Sequence, residues 1–338
     1  MISNGREGRP SGIIVLGSER SGTSVVTEMV HRWGAYAGPS DSLTAGDEHN
    51  PHGRWEYEPL WGLLSEIGDF GEGATWWIDS FEDRVRRKLQ DHAVTTKARA
   101  LVAEMEREGR PWVWKDPALC RFLSFWKPIW GDVMYVITVR HPYDVARSWQ
   151  RMTVPAERRD AIDLTACNLL RWQHMMLSVL RATEDTSRRI FVEYEQLVRE
   201  PFTQAHRLAQ FLDEQSGWER AEEVVAWMAA AVEPSCHRNR CDRPLAEIPE
   251  STTAQQALYQ LLQRKVSDPT AEFADEFPMP EGLFKNVFDW RMKMPVKGLQ
   301  RSQLLALGAV VVYQLVLLYQ HQHHLPLGKG IKPLLRAA

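Results

Sequence analysis

The sequence predicts an α/β fold, a central parallel sheet with helices on both faces, continued at its C-terminal end by a helical extension. Three observations predict it. Short apolar runs of the kind that form buried parallel strands alternate with segments of helical spacing as far as Leu212. The first run passes through a glycine-rich loop straight into a helix. Finally, Lys115, Arg140 and Tyr194 stand where later apolar runs stop, so that parallel strands would bring them to one edge.

The elements follow in order. Ser11–Gly17 (SGIIVLG) reads as a buried strand, and Ser24–Trp33 as a helix. Ala35–Gly53 is rich in Gly, Pro, Ser, Asp and Asn and reads as loop. Arg84–Arg107 carries Val85, Leu89, Ala93, Ala100, Leu101 and Met105 at helical spacing and is predicted as one helix. Pro111–Lys115 is a short strand, and Val133–Val139 (VMYVITV) is the clearest β run after the first. His141-Pro142 ends that run, and Pro142 can open a helix because its first turn needs no proline N–H. Leu164–Leu180 is helical, Arg189–Tyr194 is a strand, and Pro201–Leu212 is again a helix. Beyond Pro234 the alternation stops: Ser251–Val266 reads as one helix and Asp268–Gly298 as loop-rich. The expected organisation is a flexible tail over 1–10, the α/β domain over 11–243, an extension over 244–300, and an apolar helix with a basic tail over 301–338.

Composition narrows the function classes. The 338 residues are 44% hydrophobic and 25% charged, an ordinary globular balance. A net charge of −3 gives no whole-molecule reason to expect nucleic acid. Four cysteines are too few for a disulfide scaffold in a chain of this length. Cys236 and Cys241, with His237 between them, lack a second pair at zinc spacing and are read as free thiols. The 14 tryptophans are expected mainly in the core. Met1–Ser11 lacks an apolar signal core, so a cytoplasmic protein is expected. Leu304–Tyr319 (LLALGAVVVYQLVLLY) falls short of the about 20 apolar residues a spanning helix needs. It is read as a buried or interfacial helix, a surface for peripheral membrane contact or dimerisation, with Lys329, Lys332 and Arg336 behind it.

The chemistry is concentrated around Gly17–Ser24 (GSERSGTS), which has P-loop spacing between a strand and a helix. Such a loop curls so that successive N–H groups point at an anion at the helix N-terminus. The nucleotide-hydrolysing form needs lysine after the second glycine to reach the β- and γ-phosphates. Thr23 stands there instead, and the positive charge is Arg20, inside the loop. Val133–Val139 leads into Arg140 rather than a magnesium-binding aspartate. The loop therefore suits a phosphate-like anion held without metal. In Arg140–Ser148 (RHPYDVARS), a guanidinium at a strand end and a hydroxyl on the next helix can clamp a second phosphate. Lys115, in VWKDP, and Tyr194, in FVEYEQLVREP, complete four pieces expected at one crevice.

Together these motifs resemble the family of sulfotransferases that use 3′-phosphoadenosine 5′-phosphosulfate (PAPS), over about Gly12–Asp213. Val113–Pro117 and Phe191–Pro201 look most like the protein-tyrosine sulfotransferase branch and bacterial members related to it, and Asn50–Glu56 (NPHGRWE) is similar to a bacterial segment. The resemblance implies the P-loop-like sulfotransferase fold and a PAPS co-substrate with no required metal. It implies that Arg20 with Ser21, Gly22, Thr23 and Ser24 holds the 5′-phosphate and sulfate, that Arg140 and Ser148 hold the 3′-phosphate, and that Tyr194 lies against the nucleotide. It makes Lys115 the cation at the transferring sulfuryl group, beside Arg20, and a glutamate after the first helix the base. Glu56 is the candidate base, with Glu48, His49, His52 and Glu58 as rivals in the same stretch. The acceptor class implied is a carbohydrate, a lipid-linked glycan or another small metabolite. A nucleotide kinase and a non-catalytic PAPS- or PAP-binding module are the alternatives. Arg238, Arg240 and Arg243 form a late basic loop that could close on the nucleotide or meet an anionic acceptor.

Overall fold

The computed structural model describes residues 12–47, 50–68, 81–154, 156–159, 163–218, 223–233 and 240–272. Four strands, β1 (Gly12–Leu16), β2 (Trp112–Lys115), β3 (Val133–Val139) and β4 (Arg189–Glu193), form one parallel sheet in the order β2-β1-β3-β4. The register aligns Val15 with Lys115, Leu16 with Ile137, and Val139 with Glu193. Parallel pairing thus sets the last residues of all four strands along one edge.

Period-two alternation decides which face each side chain takes. Ile13, Val15, Val113, Met134, Val136, Ile190 and Val192 pack on one face with α1 (Thr23–Trp33), α9 (Pro201–Ser216) and α10 (Val224–Ala229). Ile14, Leu16, Trp112, Trp114, Tyr135, Ile137, Val139 and Phe191 pack on the other. Helices α2 (Glu58–Gly68), α3 (Phe81–Arg87), α4 (His92–Glu106), α5 (Leu119–Trp130), α6 (Pro142–Thr153), α7 (Thr165–Thr183) and α11 (Thr253–Ser267) contribute to that second core. The helix after β1 and the helix after β3 therefore lie on opposite faces. The crevice between these two neighbouring strand ends is the switch point at which ligands bind in open α/β sheets.

The strands, and the helices begun by Pro142 and Pro201, lie within a residue of their predicted starts. The single helix expected over Arg84–Arg107 is two. The chain breaks at Asp91, which takes an extended backbone (φ −81°, ψ 104°) and accepts hydrogen bonds from the N–H groups of Ala93 and Val94, capping α4. A local side-chain cap overrode a continuous apolar pattern. Helices α2 and α5 carry no expectation above. In α5 (LCRFLSFWKPIW) Arg121, Ser124 and Lys127 recur at helical spacing opposite an apolar face, but Pro128 lies inside the last turns, where a proline ordinarily ends a helix. The apolar face of α5 packs against the sheet, where Trp126 meets Trp114 edge-on at 5.3 Å and stacks on Trp130 at 5.6 Å. Trp33, Trp112, Trp114, Trp126 and Trp172 are fully buried, whereas Trp61 and Trp227 are exposed.

Helix α11 opens on a capping box between Thr252 and Gln255. It lays Leu258, Leu261 and Leu262 into the core beside β4. Among the described residues, no helix is long and apolar enough to cross a membrane. The apolar segment 304–319 lies outside the described residues, as do Glu48, His49, Cys236, His237 and Arg238.

Candidate anion and transfer site

The loop after β1 is held in shape from beneath. The Ser21 hydroxyl donates to the Ser18 carbonyl (2.6 Å), and its oxygen lies within hydrogen-bond distance of the Thr138 hydroxyl on β3 (2.6 Å). The Gly17 N–H donates to the Cys120 sulfur at 3.3 Å. Cys120 is fully buried, and burial pushes its thiol up to about 12, so it acts here as a small packing group. The Ser21 side chain therefore faces the sheet. The Ser24 hydroxyl turns to the Arg54 carbonyl at 3.3 Å.

Two backbone conformations make the cradle. Arg20 is left-handed (φ 68°), a sparsely populated state for a residue with a Cβ, of the sort that clusters at functional sites. Gly22 is also at positive φ (92°), and a Cβ there would run into the ring of Tyr194. Helix α1 begins at the next residue, with no acidic side chain in its first turn and no side-chain cap on Gly22. Its first N–H groups are of the kind that meet an anion.

Around this cradle the expected residues converge. The Arg20 Nε donates to the Ser148 hydroxyl at 3.0 Å, and the Arg140 Nη1 donates to the Arg20 carbonyl at 2.8 Å. The Arg140 guanidinium lies 4.5 Å from the centre of the Tyr194 ring, a cation–π distance. Two guanidiniums thus sit together in a largely buried place. Burial first, then the Arg140 charge, lower the affinity of Arg20 for its proton. An entering anion relieves that repulsion.

Lys115 ends β2 with a side chain that is 2% exposed, and its Nζ donates to Glu56 Oε1 at 2.8 Å. Glu56 is carried there by a small ladder. The Thr44 N–H donates to the Glu56 carbonyl at 2.9 Å, the Arg54 N–H to the Thr44 carbonyl at 3.2 Å, and Leu43 pairs with Tyr57. The Tyr57 hydroxyl donates to Glu104 on α4 at 3.0 Å, pinning the segment from the far side. Of the described rivals, His52 pairs with Glu233 at 3.0 Å in a half-exposed contact, and Glu58 is an exposed residue opening α2. Arg54, given no role by the sequence, pairs with Asp47 and is close enough to Arg20 and Glu56 to be felt by both. Its proximity to Arg20 comes through the Ser24 contact between α1 and the loop, which nothing local in the sequence marks.

Asp116, next to Lys115, is buried, and its Oδ1 accepts the Ala118 N–H at 2.8 Å. Burial, then the Glu56 charge, push its carboxyl up to about 7. At the late basic loop, Arg240 pairs with Asp242 at 2.9 Å, and Arg243 lies 5.9 Å from the ring of Tyr143, on α6 beside Arg140.

A family model described as the sulfotransferase family matches residues 10–220. No curated protein matches the sequence. Among solved structures, the sulfotransferase domain from the curacin biosynthetic pathway is 15% identical, with a TM-score of 0.45 over 75% of this chain and 98% of that one. The sulfotransferase domain of the Synechococcus PCC 7002 olefin synthase is 19% identical, with a TM-score of 0.44 over 77% and 95%. A sulfotransferase of Mycobacterium avium is 17% identical, with a TM-score of 0.40 over 81% and 78%.

Proposed function

The chain belongs to the sulfotransferase family, and from that premise we propose that it transfers a sulfuryl group from PAPS to a hydroxyl of a carbohydrate, a lipid-linked glycan or a small metabolite. The observation that carries this reading is the meeting of Lys115 with Glu56 (2.8 Å) at the same sheet edge as the Arg20–Ser148–Arg140 group. A cation for the leaving oxygen and a carboxylate for the acceptor proton stand side by side, next to a cradle for phosphate.

In this reading the α1 amides and Arg20 hold the 5′-phosphosulfate, Arg140 and Ser148 hold the 3′-phosphate, and Tyr194 packs against the nucleotide. The acceptor oxygen attacks sulfur in line while the bond from sulfur to the 5′-phosphate oxygen breaks. Glu56 takes the acceptor proton, and Lys115 and Arg20 offset the charge that grows on the leaving oxygen. An ammonium has three donors, so Lys115 can serve Glu56 and the leaving oxygen together. The donor residues fit a doubly phosphorylated anion: two largely buried guanidiniums and an open helix N-terminus face it, with no carboxylate in that first turn.

The test is calorimetric titration with PAP, the desulfated product, in magnesium-free buffer, beside Arg140→Ala. Binding by the wild type that the variant loses supports the donor site. A folded wild type that does not bind PAP removes it.

A further inference from the structure

The phosphate loop contains a negative charge, Glu19, directly before Arg20. Its carboxylate is paired with Arg171 on α7, a residue 152 positions away in the chain. Side-chain exposure is 16% for Arg171 and 12% for Glu19, so water does little to screen the pair. The Arg171 guanidinium also stacks on Trp149, 4.0 Å from the ring centre, and Trp149 follows Ser148 on α6. The Glu19–Arg171–Trp149 bracket therefore adjoins the Arg20–Ser148 contact at both ends, through Glu19 next to Arg20 and Trp149 next to Ser148. Glu19 is also close enough to the strand-end Asp116 and to Cys120 to raise both acids, so its charge is felt inside the crevice.

We infer that Arg171 is a positioning residue for donor binding, whose task is to neutralise Glu19 so that the loop presents a net positive field to the nucleotide's anionic groups. This rests on the donor reading given above. Without Arg171, a carboxylate adjoining Arg20 would repel the incoming phosphates and compete for the Arg20 guanidinium. With both Glu19 and Arg171 neutral, nothing remains to repel. A bracket that mattered only for packing would behave differently: removing the second partner would not undo the loss of the first.

The experiment is calorimetric titration with PAP of wild type, Arg171→Met, Glu19→Gln and the double variant, each with a thermal melt to register folding. Arg171→Met should weaken PAP binding by at least about tenfold, since stripping one partner from a largely buried pair leaves an uncompensated charge. Glu19→Gln should bind as tightly as wild type or tighter, and the double variant should recover most of the lost affinity. Unchanged binding by Arg171→Met, or a double variant as weak as Arg171→Met, overturns the inference. If Arg171→Met does not fold, Glu19→Gln decides: binding kept or tightened supports neutralisation, and weakened binding refutes it. A wild type that fails to bind PAP removes the donor reading, an outcome distinct from a wild type that binds and variants that do not differ.

Discussion

The contact between Lys115 and Glu56 concentrates two roles in one pair. A lysine 2% exposed donates to a carboxylate, and in the proposed mechanism that carboxylate takes the acceptor proton. Glu56→Gln keeps the shape and an acceptor for the ammonium but removes the basic oxygen. Its kcat should fall on the order of 10²–10⁴-fold, the usual worth of a positioned base, with PAP affinity held within about twofold. Lys115→Met should lower kcat on the order of 10²–10³-fold, as loss of one transition-state charge partner does. Steady-state kinetics with PAPS, beside PAP titration, separates the two. A Glu56→Gln enzyme of wild-type rate would remove Glu56 as the base.

At the level of elements, the site depends on how closely β4 approaches the loop. Tyr194 is the first residue of α8 (Tyr194–Arg199), and its ring lies against the backbone of Gly22. Gly22→Ala meets two obstacles at once: a left-handed backbone that disfavours a Cβ by about 1–2 kcal/mol, and a ring already in place. The loop or Tyr194 must then move, and Arg140, stacked on that ring, moves with it. The variant should melt at lower denaturant and bind PAP at least about tenfold more weakly, an effect of more than about 1.4 kcal/mol. Unchanged affinity in titration would mean that the loop and β4 are not mechanically linked.

Across the whole molecule, two buried groups near the site oppose each other in the pH dependence of folding. Asp116 has a folded pKa of about 7, above its unfolded value of 3.8, so the folded state keeps a proton that the unfolded state releases. Its contribution therefore falls as pH rises from about 4 to about 7, by at most about 1.4 kcal/mol per unit. His141 is pushed down to about 4 by burial, then by the Arg140 charge. Its contribution runs the other way, present above pH 6.5 and lost as pH falls towards 4. Asp116→Asn should make stability rise more steeply with pH over that window. His141→Asn should make it fall. Denaturant melts at several pH values check both slopes, and slopes identical to wild type would show that neither proton is coupled to folding.

The sequence by itself determined the parallel sheet, the glycine-bearing loop from β1 into α1 and the strand-end residues. Alternation, a glycine-bearing turn and a proline at a helix start are local patterns, set by backbone sterics and by which face is buried. Lys115, Arg140 and Tyr194 stood at positions whose neighbours already marked strand ends, and Ser148 on the helix that Pro142 opens. Tertiary structure decided the rest. In the sequence, Glu48, His49, His52, Glu56 and Glu58 are equivalent carboxylates and imidazoles in one stretch with no period that ranks them. Glu56 reaches Lys115 because Thr44 and Tyr57 tie its backbone to a second segment and to α4. The break at Asp91 turned on whether one side chain capped its own backbone, and α5 runs on through Pro128, a residue that ordinarily ends a helix. The Glu19–Arg171 pair joins residues 152 apart, and a contact made by folding over that distance leaves no mark in the local pattern of either segment.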